Sequence, residues 1–333
     1  MKKLLTFTLL LFFAFSILAQ NNNSTIVFYN VENLFDTIDD PKIKDDEFTP
    51  EGGKKWTIER YHKKLNDLAK VISSVDKSKL PDLVGFAEIE NRTVLEDLVK
   101  TDALIAGKYK IVHEDSPDVR GIDVAMIYNP IQFNYVNHQK IPVPLETKYK
   151  VRDILYVKGI LMNTDTLHIF VNHWKSRSGG QQATEPQRIQ CAITLRNAVD
   201  SIKAANQNAK ILVMGDLNDT PSNKSVFKTL NANNSENKDA LYNLMLPLSK
   251  EGLGTHSYRG HWNILDHIIV SNNLVTNTCD ITVKDKKGNI FSEEWITFTS
   301  KKGSKSPNRT YGGSNYYGGF SDHYPIYVTL TKQ

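Results

Sequence analysis

Short apolar runs typical of buried strands recur along the chain and alternate with segments of helical periodicity. The strand-like runs cover residues 25–29, 83–87, 122–128, 167–171, 211–214, 268–270 and 326–330. A stretch rich in Asn, Ser and Lys at 231–238 is predicted to be a surface loop. No internal repeat or Pro/Ser-rich linker divides the sequence. This pattern predicts a single large α/β or α+β domain.

Two of the helical segments can be recognised from their apolar positions and their start signals. In the first, apolar residues follow one another at steps of three or four and so share one helix face; they are Ile58, Tyr61, Leu65, Leu68 and Ile72. Thr57 is the candidate N-cap of this helix. The second helix is predicted to start near Pro186, because the fixed φ of proline suits a helix start. Its apolar positions are Ile189, Ala192, Ile193, Val199 and Ile202.

Residues 1–19 have a different character from the rest of the chain. Lys2 and Lys3 precede an apolar run at 4–18, which ends at Ala19. This order is that of a secretory signal peptide, and the run is short for a membrane span. We therefore expect residues 20–333 to form the mature domain of a secreted or periplasmic protein without stable membrane insertion. An uncleaved N-terminal anchor is the alternative.

Composition narrows the functional classes only moderately. The 333 residues are 40% hydrophobic and 23% charged, which excludes a disordered chain or a coiled coil. With 41 basic and 37 acidic residues, net charge does not predict nucleic-acid binding, so any basic surface must be local. Cys191 and Cys279 either form one disulfide or are two small buried side chains.

Several strand-like runs are followed by a polar residue that could take part in catalysis or metal binding. Asn30 follows the first run, Glu88 the second, and His173 comes soon after the fourth. Asp216 and Asn218 follow the fifth, where a carboxylate and an amide can hold a cation, a water and a phosphoryl oxygen. An Asx turn is the alternative for this pair. Strand ends on one rim of a sheet are rigid, converging positions for a site.

Two Asp–His dipeptides add candidate acid–base chemistry. Asp322 and His323 precede the last strand, and histidine is the side chain best suited to proton transfer near neutral pH. Asp266 is a candidate orienting partner for His323, whereas His267 opens an apolar run and is expected to be structural. A loop histidine beside a charge is the alternative for His323.

The candidate ligands are carboxylates, amides and imidazoles, without a thiolate. Such donors favour Mg²⁺ or Mn²⁺ first and Ca²⁺ next. Glu88 closes an apolar strand, where an unpaired carboxylate is costly, and Glu90 is its rival as the ligand. Two histidines with a hard cation are the groups that phosphodiester cleavage requires, one to activate water and one to protonate the leaving oxygen.

Two basic segments are candidates for substrate binding. Lys175 and Arg177 lie just after His173 and before a glycine pair, a mixture that suits a phosphate-like anion. A second basic loop at 301–309 ends in Arg309 and is followed by Tyr311, so that cations and aromatic rings could contact phosphates and bases. Solvated surface loops are the alternative for both.

Taken in order, these motifs resemble the endonuclease/exonuclease/phosphatase superfamily, and the match extends from Asn30 to His323. The resemblance implies an α+β fold, a four-layer α/β/β/α sandwich with two packed mixed β-sheets. It implies that Glu88, Asn30 and Asp322 serve the metal. It assigns catalytic roles to five residues, which are His173, Asp216, Asn218, Asp266 and His323, with His323 as general base. Asp123 is assigned the role of orienting His173, with a structural ion pair as the alternative.

The hypothesis favoured by these motifs is a metal-dependent phosphodiesterase acting on nucleic acid, as an endonuclease. The stretch at 172–180 is similar to secreted bacterial nucleases of the superfamily, and the pattern of inositol polyphosphate 5-phosphatases is missing. The second hypothesis is hydrolysis of a phospholipid head group or a small phosphate ester, although the sequence shows no long apolar hairpin for membrane contact. A binding protein with a decayed site is the third.

Overall fold

The computed structural model describes residues 22–145, 150–276 and 278–333. The predicted signal peptide, residues 1–19, lies outside this part of the chain. Four α-helices are described: α1 (Ile58–Ser74), α2 (Arg92–Val99), α3 (Gln181–Ala205) and α4 (Leu246–Lys250). The described strands, in chain order, are β1 (Asn23–Leu34), β2 (Leu83–Ile89), β3 (Lys110–His113), β4 (Asp123–Tyr128), β5 (Phe133–Ile141), β6 (Ile154–Leu161), β7 (Asp165–His173), β8 (Lys210–Asp216), β9 (Leu241–Asn243), β10 (His256–Tyr258), β11 (His261–Asn263), β12 (Asp266–Ser271), β13 (Ile281–Val283), β14 (Asn289–Ile290), β15 (Thr297–Thr299), β16 (Lys305–Pro307), β17 (Tyr311–Gly312), β18 (Asn315–Tyr316) and β19 (Ile326–Lys332).

Most strands belong to two large sheets. The first has the order β13-β19-β1-β2-β4-β3, with β14 also paired to β19, and the second has the order β5-β6-β7-β8-β12-β9. In each sheet one central pair is parallel, β1 with β2 and β7 with β8, and the remaining pairs are antiparallel. Both sheets are therefore mixed. The remaining strands form small hairpins, β10-β11, β15-β16 and β17-β18.

Three apolar clusters hold the layers together. The inner faces of the two sheets meet in a core that contains Phe28 of the first sheet and Met214 of the second. The outer face of the first sheet packs against α1 and α2, and that of the second packs against α3. This arrangement is the four-layer sandwich with two mixed sheets that the resemblance implied. Burial of both faces explains why the central strands have continuous apolar runs.

The seven strand-like runs correspond to β1, β2, β4, β7, β8, β12 and β19, and the predicted loop at 231–238 is confirmed. The structure adds β5 and β6, which the pattern did not single out. Only Phe133 of the nine residues of β5 is buried, because this strand lies at the edge of its sheet. An exposed edge strand has no continuous apolar run to reveal it.

Both predicted helices exist, with differences at their starts. Thr57 occupies the N-cap position of α1 without a capping hydrogen bond from its side chain, and Ile58 is 46% exposed. Helix α3 begins at Gln181, so Pro186 lies inside it and not at its start. Helix α3 also buries Arg188, a charged side chain that interrupts the apolar periodicity.

The two cysteines are free thiols. Cys191 is buried against the second sheet, where burial raises the pKa of its thiol to about 11. Cys279 is partly buried and its thiol donates to the Asn273 carbonyl oxygen. In the described residues, no helix has both the length and the apolar content needed to cross a membrane.

Candidate active site

Four central strands bring polar residues together at one rim of the sandwich. His173 and Asp216 are the last residues of the parallel strands β7 and β8. Asn30 lies inside β1, where its register with β2 is interrupted, and Glu88 is the next-to-last residue of β2. The Asn30 amide nitrogen donates to Asp216 Oδ2 at 3.1 Å and lies 3.5 Å from Glu88 Oε1. His173 Nε2 lies 3.7 Å from Asp216 Oδ2 and 3.9 Å from Glu88 Oε1. The residues predicted from separate strands thus form one cluster.

His323 enters this cluster from the turn before β19. Its Nδ1 makes a 2.7 Å hydrogen bond with Asp266 Oδ2, and its Nε2 lies 3.9 Å from Asp216 Oδ2. Asp266 opens β12 directly opposite Asp216 of β8, so the antiparallel register fixes the pair. The Ser321 hydroxyl donates to the Asn30 carbonyl oxygen and accepts from His323 N–H, which ties the turn to β1. His323 is therefore held at both its ring and its backbone.

Burial and charge set different protonation tendencies for the two histidines. Burial lowers the pKa of His323, but the charges of Asp266 and Asp216 outweigh this effect and hold the pKa well above its usual value. Burial lowers the pKa of His173 well below its usual value, and Arg152 and Arg120 add to the effect. Burial also raises the pKa of Asp216 to about 7, against the opposing charge of His323. His173 is thus a neutral imidazole near pH 7.

The backbone is strained at two of the clustered residues. Glu88 has φ 67° and Asn218 has φ 53°, values in the left-handed region that side chains other than glycine adopt at a cost. Asn33 N–H donates to Glu88 Oε2 at 2.9 Å, and Asn218 N–H donates to Asp216 Oδ1 at 2.8 Å. The Asn218 amide nitrogen also donates to the Trp174 carbonyl oxygen. These bonds hold both residues in the strained geometry.

Gly215 allows β8 to approach β7 closely beside this cluster. A Cβ at position 215 would lie 2.3 Å from the Asn172 carbonyl oxygen, a backbone atom that cannot turn aside. We expect Gly215→Ala to lower the free energy of unfolding by about 1–3 kcal/mol, as overpacking does. Urea unfolding measures this change. Gly53→Ala, where a Cβ meets nothing within 4 Å, is the control, and equal stability of the two variants would contradict the close approach.

The cluster fits a hard divalent cation. The carboxylates of Glu88 and Asp216 meet at the Asn30 amide nitrogen, and Asp266 Oδ1 is buried without a hydrogen-bond partner. The Asn30 side-chain oxygen accepts from Glu32 N–H at 3.0 Å, so it does not face the two carboxylates as its predicted role at the metal requires. Ligand atoms of Asp216, Asp266 and His323 lie within 4.8 Å of one another, as do those of His256, Asp322 and His323. Buried carboxylates that face one another need a positive charge. This donor set suits Mg²⁺, Mn²⁺ or Ca²⁺.

Glu90, the rival of Glu88, lies apart from the rim. Its carboxylate accepts a hydrogen bond from Asp36 N–H at 2.6 Å, and burial raises its pKa to about 8. Asp322 is only partly buried and accepts from Arg309 Nη2 at 3.0 Å. Burial raises the pKa of Asp322, but the charges of His323, His256 and Arg309 outweigh this and lower it. Asp322 thus lies at the mouth of the site.

Two predicted residues, Asp123 and Arg177, have other partners. The Asp123 carboxylate bonds with His113 Nε2 and with Ser116, so it does not contact His173, whose Nδ1 lacks a hydrogen-bond partner. Arg177 donates to the Asn218 carbonyl oxygen and to Asn223, which holds the loop after β8.

Tyr311 is 6% exposed, and its hydroxyl donates to the Lys54 carbonyl oxygen, so its ring is not available to stack on a base. Lys175 is partly buried and lines a separate cavity beside the loop. Arg309 remains half exposed beside Asp322 and Glu32, with its guanidinium accessible from solvent.

The structure adds residues that the sequence patterns did not reveal. The His256 ring lies 4.8 Å from the His323 ring, and a backbone bridge pairs the two residues. Burial and the charge of His323 lower the pKa of His256 to about 4. A cavity of about 720 Å³ is lined by Asn218, His256 and His323, with His261 further out. His256 comes from a short hairpin that has no distinctive pattern, so only its residue type could have marked it.

Asp219 anchors the loop that carries Asn218. Its Oδ2 lies 2.8 Å from Nε of the buried Arg188 of α3 and accepts from the Ser225 hydroxyl at 2.6 Å. His267 Nε2 bonds with the Asp219 carbonyl oxygen, which gives His267 the structural position that its apolar surroundings predicted.

Comparisons with known proteins identify the fold and the family of this chain. The model of the endonuclease/exonuclease/phosphatase family matches residues 25–332. Zebrafish (D. rerio) TDP2, humanized by 14 mutations, is 17% identical with a TM-score of 0.57, covering 93% of this chain and 100% of its own. The human Nocturnin catalytic domain with a bound sulfate anion is 15% identical with a TM-score of 0.56, covering 94% of this chain and 96% of its own.

A mannosyl-6-phosphatase from Bacteroides thetaiotaomicron is 16% identical with a TM-score of 0.56, covering 92% of this chain and 99% of its own. No curated protein matches the sequence. At these identities the solved structures show a common fold, while the family model spans nearly the whole sequence. The chain belongs to the endonuclease/exonuclease/phosphatase family.

Proposed function

We propose that this protein is an exported, divalent-metal-dependent phosphodiesterase that hydrolyses nucleic acid, acting as an endonuclease. The observation that carries the proposal is the paired imidazole of His323. Its Nδ1 is held at 2.7 Å by Asp266, and its Nε2 faces the carboxylate of Asp216. The basic and apolar leader in residues 1–19 supports export.

The residues of the rim have different roles in the proposed reaction. Asp266 fixes the ring of His323, so that Nε2 can take a proton from a water placed beside Asp216 and Asn218. Neutral His173, 3.7 Å from Asp216, can donate a hydrogen bond to a phosphoryl oxygen. As the new P–O bond forms, the P–O bond to the leaving oxygen breaks; that oxygen takes a proton from solvent, and His323 releases to solvent the proton that it took from the water. A divalent cation held by Glu88 would stabilise the negative charge that develops on the phosphoryl group.

Nucleic acid is the proposed substrate. Two local basic regions, one around Lys175 and one at Arg309, support a polyanionic strand. One solved zebrafish TDP2 is described as complexed with single-strand DNA product. The buried Tyr311 ring and the engaged Arg177 side chain remove two predicted contacts from this surface. A small phosphate ester is the alternative, favoured by the likeness to the mannosyl-6-phosphatase.

Supercoiled plasmid DNA and single-stranded RNA test this choice. The mature protein, residues 20–333, is incubated with each substrate with Mg²⁺, with Mn²⁺ and with a chelator. Nicking or linearisation that requires the metal is the expected result. Intact nucleic acid in every lane, together with phosphate release from sugar phosphates by the same folded preparation, would replace this proposal by the small-ester alternative.

Asp266→Asn is expected to shift the pH dependence of the reaction. Asp266 holds the pKa of His323 above its usual value, so loss of its charge lowers that pKa. The general base is then deprotonated at lower pH, and the acidic limb of the kcat profile moves toward lower pH. The plateau falls by roughly 10²–10⁴-fold because the ring is no longer oriented. A limb that stays in place would show that His323 is not the titrating base.

A further inference from the structure

A second cavity of about 410 Å³ opens on the other side of the loop that follows β7. Ser178 of this loop lines both this cavity and the one that contains His323, so the two cavities are adjacent there. The described residues around the second cavity include five cations and one carboxylate, which are Lys44, Arg120, Lys150, Arg152, Lys175 and Asp118. We call this cavity the basic cleft.

Arg152 forms the fixed wall of the basic cleft. It is 4% exposed, and its guanidinium donates to the carbonyl oxygens of His173 at 3.1 Å and Trp174 at 2.5 Å. Its third contact is Asp118, at 2.8 Å. The same side chain therefore supports the backbone of the candidate catalytic histidine and faces the cleft. This arrangement fixes the distance between the cleft and the rim of the sheets.

Apart from Lys44, the described residues that line the basic cleft carry four positive charges against the single carboxylate of Asp118. Arg120 Nε lies 3.5 Å from Asp118 Oδ1, so one carboxylate is shared between two guanidinium groups. Burial lowers the pKa of Lys175, and the charges of Arg152 and Arg120 lower it further. Like charges crowded around a cavity repel one another, and an anion in the cavity would relieve this repulsion.

We propose that the basic cleft binds a second phosphate group of the substrate, one other than the phosphate that is hydrolysed. The inference rests on the proposed function for the identity of the scissile group. A strand that crosses the loop at Ser178 would place one phosphate at the His323 rim and a neighbouring phosphate in the cleft. The hydroxyl groups of Ser176 and Ser178 supply neutral donors beside the cations.

The test compares substrates with one phosphate and with many. The double variant Arg120→Gln/Lys150→Gln removes two cations and leaves the buried Arg152 in place. We expect the ratio of kcat/KM on a single-stranded oligonucleotide to that on bis(4-nitrophenyl) phosphate to fall about tenfold. The oligonucleotide's salt dependence should weaken by roughly one unit in the log–log slope. Lys110→Gln/Lys228→Gln, which removes two exposed lysines elsewhere, is the matched control.

A binding measurement separates failure of this inference from failure of the proposed function. The protein is held in a chelator, where the rim carboxylates repel anions, and is titrated with inorganic pyrophosphate by calorimetry. Wild-type protein should bind about tenfold more tightly than Arg120→Gln/Lys150→Gln, even if neither cuts nucleic acid. Equal binding, or equal loss of activity on both kinds of substrate, would overturn the assignment of the basic cleft.

Discussion

His323→Asn should lower kcat for phosphodiester hydrolysis by roughly 10²–10⁴-fold. In the native protein, His323 Nδ1 bonds with Asp266 at 2.7 Å, and Nε2 is the ring nitrogen left to accept a proton. The asparagine amide can still donate to Asp266, so the buried carboxylate keeps a partner, but the side chain cannot act as a base near neutral pH. Steady-state rates on bis(4-nitrophenyl) phosphate measure the change.

Two controls show whether a lower rate in His323→Asn comes from loss of the imidazole. The melting temperature of His323→Asn shows whether the variant is folded under the assay conditions. His62→Ala removes an exposed histidine from the outer helix α1, away from the rim, and should retain the wild-type rate. A folded His323→Asn protein with wild-type kcat would mean that another group activates the water.

Glu88→Gln should raise the concentration of Mg²⁺ needed for half-maximal activity by roughly 10–100-fold. The carboxylate is positioned by Asn33 N–H at 2.9 Å and lies at the end of β2 in a left-handed backbone conformation. Glutamine keeps the shape and an acceptor oxygen for this bond but removes the negative charge that attracts the cation. Titration of metal-stripped protein with Mg²⁺ measures the shift.

Glu90→Gln is the matched control for this experiment. Glu90 lies two residues along the chain, accepts from Asp36 N–H, and has a pKa raised by burial to about 8. Near pH 7 its carboxyl group is therefore largely protonated, so replacement by a neutral amide changes little. If Glu90→Gln raised the metal requirement and Glu88→Gln did not, the ligand assignment would be reversed.

The sequence predicts the strands that lie inside the sandwich better than those at its edges. The central strands β1, β2, β7 and β8 are buried on both faces and have continuous apolar runs, so the polar residues that follow these runs are conspicuous. The edge strand β5 has a single buried residue and no such signal. Since the candidate rim is built from central strands, its cluster could be assembled from the sequence.

The partners of individual side chains are less accessible to the same reasoning. Arg177 binds the loop that follows β8. Asp123, the first residue of β4, binds His113 at the end of the neighbouring strand β3 and also binds Ser116. His256 reaches His323 through a backbone bridge between distant segments. Which side chains pair across loops depends on how the chain closes in three dimensions, and residue type and spacing do not specify it.

The initial rate of bis(4-nitrophenyl) phosphate hydrolysis by metal-stripped protein, before and after addition of Mg²⁺, shows whether hydrolysis requires the metal and His323. This substrate needs the catalytic rim but has a single phosphate, so its turnover does not depend on the basic cleft or on nucleic-acid binding. We predict no turnover in chelator, turnover on addition of Mg²⁺ or Mn²⁺, and its loss in His323→Asn. Undiminished turnover in chelator would mean that hydrolysis does not need a metal. Equal turnover by His323→Asn would mean that His323 is not the general base.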